Sequence, residues 1–211
     1  VTADARYSHR EFAYALPGSV SLITVNRNNP YFVSPDRATS NQIAYSFTDE
    51  LGPLRSSGAS ESLGVSAGLT ADLGQTWRME AYGAFAQETG KRSSTERLNT
   101  RFLQEALGTI ADDPATSFSA ARDGFFNPYG DGQANSRAVL DFISGGYTWS
   151  RDHSEVASIN AKADGTLFAL PGGDMKAAVG AQVRRERFET ATEAMTSRAT
   201  PTRQVTGPYE R

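Results

Sequence analysis

Alternation with a period of two runs unbroken through residues 62 to 73. The odd positions are Leu63, Val65, Ala67, Leu69, Ala71 and Leu73, and the even ones Ser62, Gly64, Ser66, Gly68, Thr70 and Asp72. An extended strand sends successive side chains to opposite faces, so the pattern commits this stretch to a sheet with one apolar and one polar side. Residues 76 to 88 repeat it, with Trp77, Met79, Ala81, Gly83 and Phe85 against Arg78, Glu80, Tyr82, Ala84, Ala86 and Glu88, and Gly74-Gln75 reads as a tight turn between them. Nearer the C-terminus, Ala157, Ile159, Ala161, Ala163 and Leu167 alternate with Ser158, Asn160, Lys162, Asp164 and Thr166. Pro171-Gly172-Gly173 then turns the chain, and Met175, Ala177, Val179, Ala181 and Val183 return opposite Lys176, Ala178, Gly180, Gln182, Arg184 and Glu186. Weaker alternation at residues 2 to 9 and 41 to 49 gives six strands, with Val20 to Val25 a candidate seventh. The fold class is expected to be all-β and antiparallel.

The connections are unequal. Two turns are tight, yet more than sixty residues separate the strand ending near Gln87 from the one starting near Glu155. Connections of that length are functional or hold structure of their own. Ser93-Ser94-Thr95-Glu96 reads as a capping box ahead of Leu98, Phe102, Leu103, Ala106 and Leu107 at helical spacing, with a stop at Gly108. A second short helix is expected from Ser136 to Ser144, with Val139, Leu140 and Ile143 inward. The chain opens at Val1 without an initiator Met or a signal-peptide pattern, which predicts a processed product or a piece of a longer one, and its close from Gly207 to Arg211 reads as loop.

Composition narrows the chemistry. A net charge of −3 gives no electrostatic reason for a nucleic-acid partner, and no apolar run approaches the ~18 to 20 residues of a spanning helix. The absence of cysteine removes disulfides, thiolate metal sites and a Cys nucleophile, and leaves His9 and His153 as the only imidazoles. Alternating strands serve a soluble sandwich and an outer-membrane barrel alike. The apolar faces here are rich in Ala and Gly, a thin payload for a sandwich core but acceptable against lipid. Trp77 stands beside a tight turn, and Phe85 lies eight residues further, roughly 26 Å at ~3.3 Å per residue, close to the ~25 Å height of a membrane barrel's apolar band. The charges along the even faces suit a wet lumen, or the solvated outside of a sandwich.

Five stretches carry a family resemblance: Asn29-Pro30-Tyr31-Phe32-Val33, residues 71 to 82 (Ala71 to Tyr82), Phe126-Asn127-Pro128-Tyr129-Gly130-Asp131-Gly132, residues 162 to 174 (Lys162 to Asp174), and residues 178 to 186 (Ala178 to Glu186). In this order they resemble the barrel region of TonB-dependent outer-membrane receptors, over about residues 29 to 189. The resemblance implies a 22-stranded transmembrane barrel closed by a plug, importing scarce nutrients such as siderophores or glycans. It also implies outer-membrane lipid, the nutrient, the TonB complex and the remaining barrel strands as partners. Neither a plug nor a TonB box is found in these residues, so residues 1 to 211 are expected to be a partial barrel domain, a slice of six or seven strands. With the tight turns periplasmic, a long loop of about residues 89 to 154 and another of about 51 to 60 fall outside the cell, and the connection before Ser40 falls to the periplasm.

No enzyme chemistry is expected, and no cofactor. Ser150, Asp152 and His153 adjoin in one loop, whereas a triad converges from separate elements. Neither His has a second His or a carboxylate at metal spacing, and the loop at Asp131 lacks the later acidic ligand of a calcium site. The binding candidates are Arg122, Asp123, Phe125, Phe126, Asn127, Tyr129 and Asp131, which concentrate aromatic and polar groups in the long loop; the bland reading is that they pack the loop against itself. The competing function is a soluble secreted β-sandwich for binding or adhesion, distinguished by whether the odd face meets lipid or a second sheet.

Overall fold

The structure, a computed structural model, describes residues 1–34, 36–130 and 134–211. In chain order the elements are β1 (Thr2–Leu16), β2 (Val20–Asn26), β3 (Ser40–Ser46), α1 (Thr48–Leu51), β4 (Leu54–Leu73), β5 (Trp77–Arg97), α2 (Thr100–Ala106), α3 (Ala120–Asp123), α4 (Arg137–Ile143), β6 (Gly146–Leu170), β7 (Gly173–Met195) and β8 (Thr202–Glu210). Six strands form one antiparallel sheet in the order β1-β4-β5-β6-β7-β8, and β2 and β3 form a separate hairpin. The class is therefore mainly β and antiparallel, and no closed barrel is found among the described residues.

Register aligns the alternation across the whole sheet. Leu69 pairs with Ala81, Ala81 with Ala161 and Ala161 with Ala181, while Val65 pairs with Phe85 and Phe85 with Ala157. The odd residues thus share one face. The even residues share the other, where Thr70, Glu80, Lys162 and Gly180 form one row. Both tight turns, 74–76 and 171–172, lie at one end of the sheet, and Gly74 takes a φ of 75° that favours glycine. The connections 17–53 and 98–145 both leave from the other end.

Those two connections fold together into a cap that holds the apolar core. Ile23, Val25 and Phe47 come from the first connection, and Leu103, Ala106, Leu107, Phe118, Phe126, Val139 and Ile143 from the second. Among the described residues, the six-stranded sheet contributes no buried large apolar side chain. The chain exposes 13693 Å², whereas a compact monomer of 22.7 kDa exposes about 9,500 Å². The excess is the two faces of the sheet, which nothing in this chain covers.

Several expectations change. β4 to β7 are 20 to 25 residues long, so the second connection shrinks to residues 98–145 and the expected loop at 51 to 60 lies mostly within β4. On the cap side of Leu63 both faces of β4 and β5 turn largely polar, which ends the hydrophobic alternation without ending the ladder. The hairpin of β2 and β3 belongs to the cap and not to the main sheet, which removes the long turn expected at the opposite end before Ser40. Ser93 to Glu96 cap no helix: Ser93 and Ser94 still pair with β6, and the Ser94 hydroxyl meets that of Ser56 across the sheet. The cap residue of α2 is Asn99, whose Oδ1 accepts from the Arg101 and Phe102 amides. The C-terminal tail read as loop is β8, which accommodates Gly207 and Pro208 in a register shift between Phe188 and Thr190.

Asn99 also ties the cap to the sheet. It is fully buried, and its Nδ2 donates to the carbonyls of Met195 and Arg198 at 3.1 and 2.9 Å. Asn99→Ala removes a helix cap and leaves those carbonyls without this donor, a local cost of about 2 kcal/mol. Amide hydrogen exchange across residues 100–107 is expected to accelerate roughly thirtyfold, with the middle of β5 to β7 unchanged. Unchanged exchange in α2 would show that Asn99 does not hold the cap.

Candidate functional site

The residues singled out in the long connection divide by depth. Phe126 is fully buried and packs edge-on to Tyr45 and tilted to Phe47, at ring separations of 5.4 and 5.6 Å. Phe125 lies half-buried against Gly108. The Asn127 amide donates to Asn135 Oδ1 at 2.7 Å, Asn135 Nδ2 returns a bond to the Asn127 carbonyl at 3.1 Å, and Asn127 Oδ1 accepts from the Tyr129 amide. Arg122 and Asp123 pair with each other at 2.6 Å. Tyr129 and Arg122 remain exposed, and Asp131 lies outside the described residues. Phe126 and Asn127 are thus spent on holding the cap, and the exposed surface of the group reduces to Arg122 and Tyr129.

The Asn-Pro-Tyr pattern recurs because each copy makes a knot. Asn29 is buried, and its Nδ2 donates to the carbonyls of Leu107 and Phe126 at 3.2 and 2.9 Å while its Oδ1 accepts from the Tyr31 amide. One amide side chain thereby joins the two long connections. Glu105 does the same within the second connection. Fully buried, it accepts from the Asp113 amide at 2.8 Å and from the Thr116 hydroxyl at 3.2 Å. The Arg101 guanidinium binds Asp113 at 3.0 Å, and with the Ala115 amide, the stronger influence, it holds that carboxyl below its usual range. A rigid cap follows from these bonds.

Sequence reasoning missed a cleft of about 810 Å³ between the β2–β3 hairpin and α2. Thr24, Asn26, Arg27, Asn28, Gln104 and Ile110 line it, so amide and hydroxyl groups face an apolar floor. Its halves come from residues about eighty apart, and no local motif marks it. Also illegible was the row formed by both histidines. His9 stands beside Glu61 at 3.3 Å and Glu11 at 3.4 Å, and His153 between Thr89 at 2.8 Å and Glu155 at 3.0 Å, all on the odd face just beyond the apolar rows. Carboxylates do reach both imidazoles, from the facing strand or the same one. Among the described residues no group of three or more His, Asp or Glu is gathered to hold a metal ion.

Compared with known protein families, curated proteins and solved structures, the chain matches none.

Asp123 provides a test of how the cap is held. Its carboxylate accepts from Arg122 and from the Ser119 amide, and these bonds push its pKa down to about 2. A carboxyl depressed in the folded state contributes fully above its ordinary value near 4 and loses that contribution as the pH falls through about 2. Pepsin nicking around residues 112–124, taken as the ratio of Asp123→Asn to the unmodified protein, is expected to exceed one at pH 4 and to converge to one near pH 2. A ratio of one at pH 4 would exclude the tie.

Proposed function

We propose that this chain is part of the wall of a transmembrane β-barrel, that of a TonB-dependent outer-membrane receptor, which binds a scarce nutrient and imports it with energy relayed from the inner membrane. The observation that carries this reading is the confinement of the apolar odd face to one belt across the sheet. Ten residues separate Leu63 from Leu73; at ~3.3 Å per residue and a tilt of ~40° the belt stands about 25 Å tall. Trp77, laid across Gly165, and Phe168 stand at its turn-side rim, and Phe85 and Tyr7 near the other. At the Leu63 row β5, β6 and β7 already carry Gln87, Glu155 and Arg187, and beyond it the odd face turns to His9, Glu61, Thr89, His153 and Glu189. Arg185, level with Phe85, reaches Glu210 at 3.0 Å, as a long cation does at a membrane interface.

The topology agrees. Short turns at one end and long, structured connections at the other are the habit of outer-membrane barrels, and the register shifts at Ser94/Arg97, Thr166/Phe168 and Phe188/Thr190 sit outside the belt, where bulges bend a sheet. In this orientation the cap lies outside the cell. The plug, the TonB complex and the other strands are partners that the resemblance implies. A sandwich would need a second sheet on the odd face; β2 and β3 pack instead on the helices of the cap.

Since the chain has no cysteine, single cysteines report position cleanly. In intact outer membranes, Val65→Cys, Ala161→Cys and Val179→Cys are expected to resist a membrane-impermeant maleimide, and Ser66→Cys and Glu88→Cys to react through a wet lumen. Equal reactivity on both faces would refute the barrel. Energetically, Ala161→Arg is expected to cost about 2 to 4 kcal/mol in denaturant unfolding from vesicles, and Asn160→Arg, one residue earlier and facing the lumen, less than about 1 kcal/mol.

A further inference from the structure

On the even face, above the level of the belt and below the cap, the sheet holds a cavity of about 380 Å³. Its floor is Gly90, at which a Cβ would meet nothing within 4 Å. Gly90 pairs with Ser60 on one side and Asp152 on the other, so the cavity is built from three adjacent strands plus side chains reaching in from β1 and β7. Phe12 comes from β1 and lies flat across Gly58, where a Cβ would stand 2.4 Å from its ring. Phe188 comes from β7 at the opposite corner, in register with Ser154. Two aromatic rings, 36% and 43% exposed, therefore stand at opposite ends of an empty floor, and Tyr14 extends the aromatic surface beyond Phe12, with ring centroids 6.2 Å apart.

The polar groups around the floor are held but not saturated. Glu88 Oε1 accepts from the Ser60 hydroxyl at 2.9 Å, and Asp152 Oδ1 from the Thr190 hydroxyl at 2.6 Å. The second oxygen of each carboxylate has no hydrogen-bond donor among the described residues, and Arg92, two residues from Gly90, makes no ion pair among them. Elsewhere on the same face Lys162 binds Glu80 at 2.9 Å, and Arg184 binds Glu186 at 2.5 Å. Around Gly90, open polar valence and aromatic surface line one cavity.

We propose that this cavity is a binding station for a neutral oligosaccharide, which names the substrate class for the receptor reading above and rests on it. A pyranose has two flat C–H faces and a rim of hydroxyls. Four strand spacings of ~4.8 Å separate β1 from β7, so Phe12 and Phe188 stack on different rings of the oligosaccharide, whose hydroxyls donate to Glu88 and Asp152 and whose oxygens accept from Arg92. Glu88 and Asp152 stand against Arg92 and against Arg10, which pairs with Ser60 in the row of Gly90, so the station carries no net charge to hold a polyanion or a polycation.

The test uses the native full-length polypeptide, purified from the outer membrane in detergent and applied to an array of neutral oligosaccharides of glucose, galactose, mannose, xylose, arabinose and rhamnose, with spermidine and an iron-catecholate complex measured in parallel. At least one neutral oligosaccharide is expected to bind. Phe188→Ala is expected to weaken it about tenfold, and Gly90→Leu, whose side chain has open space and no backbone penalty, to abolish it while the polypeptide still reaches the outer membrane in normal amount. A silent array, binding of spermidine or the catecholate in place of sugar, or sugar binding that survives both variants, each overturns the sugar station and leaves the receptor reading standing. Failure of the receptor reading shows separately, as the loss of face-dependent cysteine protection.

Discussion

The odd face of the six-stranded sheet needs a cover that the chain does not supply. Four wholly apolar rows, built mostly of Ala, Val, Leu and Gly, lie in register across β4 to β7, and Ile159, Val179 and Val183 are all more than 60% exposed. Apolar surface on this scale does not stay in water, and it is too smooth and small in its side chains to interdigitate with a second sheet. A solvent of hydrocarbon satisfies it without interdigitation. On the membrane reading proposed above, the rest follows from that demand: the core lies in the cap, the polar face becomes the inside, and the ladder satisfies the backbone by itself.

On that reading the strands serve two solvents along one ladder. Within the belt, hydrogen-bond register, small side chains and, on the even face, the Glu80–Lys162 pair hold neighbours together. Past it, polar cross-strand pairs continue the sheet: His9 with Glu61, Ser56 with Ser94, Asp152 with Thr190, and Tyr147 with Glu193 at 2.6 Å. Each such pair contributes little when exposed. Their value is register, because a slip of one residue would carry the whole apolar set to the polar face. The cap then fixes the far ends, through Asn99 to the β7–β8 turn and through Asn29 between the two connections.

The period of two made the belt legible: Leu63 to Leu73, Trp77 to Phe85 and the two C-terminal strands all appear where alternation places them. What was not legible lies where both faces are wet. There, β4, β5 and β6 run on through Ser, Thr, Lys and Glu, and a hydroxyl pair such as Ser93-Ser94 looks like a helix cap until its cross-strand partners are known. The helical spacing of Phe102, Leu103, Ala106 and Leu107 was sound, but its cap lay at Asn99, since Asn side chains bond locally in turns and caps alike. For the binding groups the reason is distance in sequence. Phe12, Gly90, Asp152 and Phe188 line one cavity only through a register that runs across five strands, so aromatic density in one loop pointed to Phe126, a core residue, instead.

The polar face is not closed by its own charges. Pairs occur at several levels: Glu80 with Lys162 toward the turns, Arg184 with Glu186 in the rows of Ser66, Ala84 and Ser158, and Asp152 with Thr190 near the cap. Asp72, Asp164 and Lys176 toward the turns and Arg92 near the cap make no ion pair among the described residues. A charge that loses its water without gaining a partner is costly, so this face holds its charges only while it stays hydrated along its whole height. On the reading proposed above, that requirement makes the inside of the wall wet from the turns to the cap, whereas the odd face asks for the opposite solvent.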